Sequence, residues 1–355
     1  MPRISILRLI LFICFVSAAW PQAPASLGAG NGDDHRITLD VVVTDKSGNP
    51  VPGLQQQDFT VLDDKQPQPI LSFRAVDGTS KAADNPPQAI LLVDAVNTSF
   101  TGVSYERQEV EKLLRQGGGH LSMPTSLVLV TDTFAGQSVV TRDGSALVDS
   151  LNSNQSGLRA IRRSQGFYGA VDRTQISLDA LEGLVSYETT QPGRKLLIWL
   201  SPGWPLLSGP NVELSAKDRE AIFHTVVRLS TELREARMTL YSIDPLGMHD
   251  AEGFLFYYES FLKGVDSANK VQTGNVGLEV LAAQSGGRVL NTSNDVAGSI
   301  ATCLADAKAY YTLSFDSAAA DHPNEYHGLQ VKIGKPGLTA RTRTGYYAQR
   351  IEVAK

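Results

Sequence analysis

Three aspartates lie at the ends of apolar segments of the sequence, and their carboxylates could bind a ligand. Asp94 directly follows the apolar run 89–93, while Asp132 and Asp244 end two later runs. If these runs are strands of an open α/β sheet, the three carboxylates meet at the edge where such sheets bind ligands. Aspartate also starts turns and caps helices, an interpretation that suits Asp132 and Asp244. Asp94 is therefore the first candidate binding residue.

The sequence lacks the motifs of several familiar enzyme classes. Residues 95–100 contain no glycine, although a bound pyrophosphate needs close backbone approach after the first strand. Neither a Gly-x-Ser-x-Gly elbow nor a His-Glu-x-x-His pair occurs. The six histidines do not form a ligand-spaced cluster, and Cys303 has the helical spacing of a buried, inert thiol. A hydrolase with scattered catalytic residues remains as an alternative.

Continuous apolar runs alternate with helical patterns through the middle of the chain. The runs cover residues 89–93, 127–130, 196–200 and 240–243. Strands that are apolar on both faces are typical of a buried parallel sheet. Helical spacing between the runs, with a capping box at Ser215 and Asp218, predicts helices on both faces of a doubly wound sheet.

The two ends of the chain have the shorter alternation of antiparallel strands. Residues 37–43, 59–62 and 70–73 precede the α/β pattern, and residues 310–315 and 329–333 follow it. Each group is too small for a stable sheet alone, so we expect the two groups to pair or to dock on the central domain. This predicts an N-terminal β segment at 36–80, an α/β domain at 86–308 and a C-terminal β segment at 309–350.

The first nineteen residues have the order of a secretory signal. Arg3 and Arg8 precede a short apolar run that ends in Ser17 and Ala19, and residues 20–35 form a Pro/Gly-rich linker. The protein is therefore expected to be periplasmic, cell-surface or secreted, with no stable membrane span after cleavage. A formal charge of -5 and the lack of a Lys/Arg run argue against nucleic acid as a partner.

The whole pattern resembles the von Willebrand factor type A (vWA)-related proteins of bacterial envelopes. The matching stretches are residues 51–54 with 58–59, 89–98, 194–203, 240–247, 282–289, and Tyr310-Tyr311 with Gly345-Tyr346-Tyr347. The resemblance implies a doubly wound, mostly parallel vWA (Rossmann-like) sheet with flanking antiparallel β segments at both ends. It also implies an exported protein that usually has no assigned activity.

Members of that family hold a divalent cation with an Asp-x-Ser-x-Ser motif and further loop oxygens. Here Asp94 and Thr98 match two of the ligands, while Val96 replaces a serine. The third loop reads Ser201-Pro202-Gly203 and lacks the expected aspartate, and no threonine can be placed near residues 166–168. Hard cations need several convergent oxygens, so this pattern predicts a degenerate metal site and no cofactor, with Mg²⁺ as the alternative.

These observations predict an exported, non-enzymatic protein-interaction module with an adhesive or scaffolding role. Its unidentified protein partner is expected to bind at loops that carry Asp94, Asn97, Thr98, Ser201 and Trp204. An exposed Trp204 would suit a protein contact, although an aromatic side chain under a long loop also fits a core position. The alternatives are a cation-dependent vWA ligand binder with a variant site and an exported hydrolase.

Overall fold

The computed structural model describes residues 35–77, 85–132, 135–153, 166–205, 207, 213–247, 256–318 and 320–348. The predicted signal peptide and nearly all of the predicted linker lie outside these residues. In chain order, the strands are β1 (Arg36–Thr44), β2 (Phe59–Asp63), β3 (Gln66–Gln68), β4 (Ser72–Asp77), β5 (Gln88–Asp94), β6 (His120–Val130), β7 (Ala135–Gln137), β8 (Thr141–Asp143), β9 (Lys195–Leu200), β10 (Met238–Ile243), β11 (Val289–Leu290), β12 (Ala309–Asp316), β13 (Glu325–Ile333), β14 (Thr339–Arg341) and β15 (Gly345–Ala348).

Six α-helices accompany these strands in the described part of the chain. They are α1 (Phe100–Leu114), α2 (Gly144–Ser153), α3 (Gly166–Thr189), α4 (Ala216–Glu235), α5 (Leu278–Gln284) and α6 (Val296–Ala305). Helix α4 begins at the capping box predicted from the sequence, in which the side chains of Ser215 and Asp218 each accept from the other's backbone N–H. None of the described helices is both long and apolar enough to cross a bilayer.

A seven-stranded mixed sheet lies in the middle of the chain, with the order β11-β10-β9-β5-β6-β7 and β8 also paired to β6. The five strands from β11 to β6 run parallel to their neighbours. Their apolar side chains are buried on both faces: Ile90 and Trp199 belong to one core, and Leu91 and Ile198 belong to the other. The continuous apolar runs reflect this two-sided burial.

The predicted fold class, a doubly wound and mostly parallel vWA sheet with flanking segments, is wrong. Strands β7 and β8 run antiparallel to β6, and two further sheets are entirely antiparallel. The physical reason at β6 is connection length. A parallel neighbour needs a crossover of about a dozen residues or more, whereas the chain returns from Val130 to Ala135 within a few residues.

The two antiparallel sheets combine strands from both ends of the described chain. One has the order β14-β1-β12-β4 and the other β15-β13-β2-β3. Leu39 pairs with Leu313 in the first sheet, and Val61 pairs with Val331 in the second. The apolar faces of both sheets share one core, to which Phe315 also belongs. The flanking segments thus form a two-sheet unit with its own hydrophobic interior.

A buried carboxylate joins this two-sheet unit to the seven-stranded sheet. Asp306, which follows α6, is fully buried and accepts hydrogen bonds from the Tyr241 hydroxyl at 2.9 Å and from Arg288 at 3.1 Å. Arg341 of β14 makes a further ion pair with Asp306, and Arg194 donates to the Asp306 carbonyl at 2.9 Å. Although burial acts in the opposite direction, Arg341 and Arg288 lower the pKa of the Asp306 carboxyl.

We predict that Asp306→Asn destabilises the protein by about 3–5 kcal/mol, because Arg288 and Arg341 would keep buried charges without a counter-ion. Urea unfolding monitored by circular dichroism measures this loss. The matched control is Asp316→Asn, which breaks an exposed pair with Arg36 and should cost about 0–1 kcal/mol. Equal losses in the two variants would contradict the prediction.

The same carboxylate predicts a pH dependence of stability. Since the folded pKa of Asp306 lies below its unfolded value, its contribution is present above about pH 3.9 and is lost as the pH falls through the folded pKa. Unfolding free energy measured from pH 7 to pH 2 should therefore decline more steeply in the wild-type protein than in Asp306→Asn. Parallel curves would contradict this assignment.

Candidate functional site

The carboxylate of Asp94 lies at the carboxyl end of β5 and is completely buried. Its Oδ1 atom accepts hydrogen bonds from the backbone N–H groups of Val96 at 2.9 Å and Asn97 at 3.0 Å. Its Oδ2 atom accepts from Asn97 Nδ2 at 2.8 Å and from Trp199 Nε1 at 3.0 Å. Four donors therefore stabilise this charge inside the protein.

This network also fixes helix α3. The amide of Asn97 donates a second hydrogen bond, 2.8 Å long, to the Ser177 hydroxyl, which in turn donates to the Arg173 carbonyl. Ser177 is fully buried in the middle of α3. The Asp94 carboxylate thus sets the position of a helix that lies far from it in sequence.

The structure places the five predicted binding residues in the interior. Asp94 and Asn97 are joined directly, and the Trp204 ring meets the Trp199 ring edge-on at 5.3 Å. Thr98 instead donates to Glu106 at 3.0 Å, and Ser201 accepts from the Gly203 N–H of its own loop. None of the five is more than 5% exposed, so their role in binding a partner stays a prediction.

Sequence reasoning missed three members of this region, Trp199, Ser177 and Glu106. Trp199 carried a usable signal, since a buried indole N–H within an otherwise aliphatic strand needs an acceptor. Glu106 is fully buried, and burial, then the nearby Asp94 charge, raises its pKa well above the usual range. Three interior polar atoms here have no hydrogen-bond partner among the described residues: Asn97 Oδ1, Glu106 Oε2 and Trp204 Nε1.

The residues around Asp94 do not fit a hard divalent cation. Both carboxylate oxygens already accept two hydrogen bonds each. The Thr98 hydroxyl is directed to Glu106, and Val96 has no oxygen in its side chain. Mg²⁺ requires several convergent oxygens in a near-octahedral array. Internal donors therefore already occupy both oxygens of the Asp94 carboxylate.

A groove of about 720 Å³ lies between the outer edge of the mixed sheet and α3. Its lining is mostly apolar or small, and three of its large hydrophobic side chains are exposed: Val139 (84%), Val140 (41%) and Tyr187 (55%). The lining residues are Val128, Gly136, Gln137, Ser138, Val139, Val140, Asp179, Ala180, Gly183, Leu184 and Tyr187. No sequence pattern pointed to this groove.

Hydrogen bonds hold the two walls of the groove together. Ala180, Leu184 and Tyr187 lie on the α3 face that continues from Ser177, so the Asp94 network positions the helical wall. On the strand side, the Gln137 amide donates to the buried Glu188 of α3 at 2.8 Å. The helix is therefore tied to the sheet at two points, one on either side of the groove-lining residues.

The strand wall is also the edge of the sheet. Strand β7 pairs with β6 on one side, and no described strand pairs with its other side. The Ser138 N–H donates to the Leu127 carbonyl at 2.8 Å, and the Ser138 hydroxyl accepts from the Leu127 N–H. This anchors the edge just before the exposed Val139 and Val140.

Three histidines of the described residues lie beside carboxylates or a backbone carbonyl rather than beside a serine or threonine hydroxyl. His327 lies beside Asp63 and Asp64, His224 beside Glu220, and His322 beside a backbone carbonyl. Cys303 is buried and unbridged, and burial raises the pKa of its thiol. Thiolate chemistry needs a lowered pKa, which Cys303 does not have.

No family model matches the chain, and no curated protein matches it. Among solved structures, the pilus adhesin SpaC of Lactobacillus rhamnosus GG has a TM-score of 0.36 at 8% identity, covering 84% of this chain and 49% of SpaC. Human COPII-coat protein Sec24c has a TM-score of 0.29 at 10% identity, covering 79% and 46%. The type V pili tip protein Mfa5 of Porphyromonas gingivalis has a TM-score of 0.21 at 15% identity, covering 55% and 33%.

The chain thus spans about half the length of SpaC. Two of these three neighbours are bacterial pilus proteins, but likenesses at this level assign neither a family nor a function. Nothing in the comparisons is specific to vWA domains, so that resemblance remains a prediction.

We predict that Asp94→Ala destabilises the protein by about 3 kcal/mol, because Trp199 Nε1 and the Asn97 amide would lose their buried acceptor. Chemical denaturation measures the loss, and Asp179→Ala, an exposed carboxylate on α3, should stay within about 0.5 kcal/mol of wild type. The difference in melting temperature between wild type and Asp94→Ala should be the same with and without Mg²⁺ or Mn²⁺. A cation-induced rise in melting temperature that Asp94→Ala removes would contradict this account.

Proposed function

We propose that the chain is an exported, non-enzymatic protein-binding module with an adhesive or scaffolding role. In this proposal, an extended apolar segment of a partner lies in the groove between the β7 edge and α3. The single observation that carries the proposal is that the apolar side chains of Val139, Val140 and Tyr187 are exposed in a groove beside a sheet edge. Exposed apolar patches next to such edges are typical interaction sites.

The groove offers two kinds of contact to an extended peptide. The backbone of the sheet edge near Gly136 can pair with a partner strand, which gives affinity without sequence specificity. The apolar side chains can then select alternate residues of that strand, because successive side chains point to opposite faces. Tyr187 suits the role of anchor, since tyrosine buries a large area at low entropic cost.

The lining also suggests the chemistry of the partner. Asp179 is the single charged residue among the described residues that line the groove, and its carboxylate is exposed. We therefore propose a partner segment that is mostly apolar and carries a lysine or arginine at one end. The Asp94 network takes part indirectly, because it holds the helix that carries Asp179 and Tyr187.

A peptide selection tests this proposal even while the partner is unidentified. Peptides selected from a random library on the wild-type protein should be apolar, and their affinity should fall about tenfold in Tyr187→Ala, or by about 1.4 kcal/mol. Val139→Asp should weaken binding at least as much. Fluorescence anisotropy of labelled peptides measures the dissociation constants.

The matched control is Tyr168→Ala, which removes an exposed tyrosine from the first turn of the same helix, outside the groove lining. It should bind the selected peptides as the wild type does. The proposal fails if Tyr187→Ala and Val139→Asp retain full affinity while folded, or if no peptide is enriched.

A further inference from the structure

Two carboxylates and one imidazole converge at the turn between β2 and β3, away from the groove. Asp63 ends β2, Asp64 follows it in the turn, and His327 comes from the paired strand β13. His327 Nδ1 lies 3.1 Å from Asp63 Oδ1 and 3.6 Å from Asp64 Oδ2. One ligand atom from each residue can be chosen so that all three lie within 4.8 Å of one another.

Neutral donors orient both carboxylates toward the imidazole. The Tyr346 hydroxyl donates to Asp63 Oδ2 at 2.7 Å, and the Gly328 N–H donates to Asp64 Oδ1 at 2.8 Å. These bonds leave the second oxygen of each carboxylate facing His327 Nδ1. Such outer hydrogen bonds are what holds ligand side chains in place at metal centres.

The His327 ring is buried, and only its Nδ1 atom faces the two carboxylates. His327 is 6% exposed, its ring stacks on Tyr346 at 5.2 Å, and its Nε2 atom is buried with no partner among the described residues. A neutral ring that donates from Nδ1 can serve only one of the two carboxylates, and Nε2 lacks a partner in either tautomer. A ring protonated at Nε2 instead points its Nδ1 lone pair at two carboxylate oxygens.

A bound cation resolves that surplus of lone pairs. With the proton on Nε2, Nδ1 becomes a ligand atom together with Asp63 Oδ1 and Asp64 Oδ2. Ligands placed about 2.0–2.2 Å from one ion are separated by roughly 3.0–3.6 Å, which matches the two distances to Nδ1. The Asp64 side chain is 58% exposed, so water can complete the coordination shell from the open side.

We propose that Asp63, Asp64 and His327 bind one divalent transition-metal ion, Zn²⁺ or Mn²⁺. A mixed oxygen and imidazole set suits these ions, whereas Ca²⁺ and Mg²⁺ prefer oxygen ligands alone. The ion ties the β2–β3 turn to β13 and so stabilises the second antiparallel sheet. The alternative is a metal-free His–Asp pair of purely structural value.

Calorimetric titration of the chelator-treated full chain, expressed without a polyhistidine tag, distinguishes these two cases. ZnCl₂ and MnCl₂ are titrated in separate runs, and we expect saturable binding of one ion per chain for at least one of them. The melting temperature should rise with the same ion. Asp64→Asn should weaken binding at least tenfold, and His327→Gln should abolish it.

Asp316→Asn is the matched control, since it neutralises an exposed carboxylate at the end of a strand in the other antiparallel sheet. Its affinity should equal that of the wild type. Asp64 is exposed, so Asp64→Asn decides the matter even if His327→Gln fails to fold. The proposal is overturned by an absence of saturable binding in the wild type, or by unchanged affinity in folded Asp64→Asn.

Discussion

The buried Asp306 carboxylate is the interaction on which the arrangement of the sheets depends. It forms ion pairs with Arg288 and Arg341 and accepts a hydrogen bond from the Tyr241 hydroxyl. These three residues come from different parts of the fold. Removing charges from water is costly, so such a group is tolerated only where its partners are complete. A second pair, Arg237 with Asp40 at 2.6 Å, joins the start of β10 to β1. These ion pairs thus fix how the mixed sheet and the antiparallel sheets, each packed on its own apolar core, are joined.

The same principle governs the edge of the mixed sheet. Asp94 occupies the position where the sequence suggests a ligand, yet its oxygens bond to Trp199 and Asn97. Through Ser177 this internal network orients α3, and α3 forms one wall of the exposed groove. Asp94 therefore helps to shape the neighbouring groove, because it holds the helix that forms one wall.

Much of the secondary structure could be predicted because strands that are buried on both faces appear in the sequence as continuous apolar runs. The apolar runs at 89–93, 196–200 and 240–243 lie inside β5, β9 and β10. The antiparallel strands β7 and β8 left almost no trace, since each has three residues and few apolar side chains. The fold class was wrong for this reason, and because strand direction depends on connections that hydrophobic periodicity does not record.

The candidate sites were less predictable than the fold. Burial of Thr98 and Trp204 depends on which loops cover them, and that is a property of tertiary packing. The groove combines an α3 face with residues 136–140, and neither segment is unusual when taken alone. The cluster of Asp63 and His327 joins residues 264 positions apart. Only the register of β2 against β13 brings them together.

The pairing of β1 with β12 has a consequence for how the chain acquires its structure. Arg36 lies opposite Asp316, so the first described strand finds its partner 280 residues later. A polypeptide that is made from its N-terminus exposes the apolar face of β1 until β12 has been synthesised. Contacts of such long separation are slow to form and leave unpaired strands open to aggregation meanwhile. Helper proteins that hold extended apolar segments would be needed most during that interval.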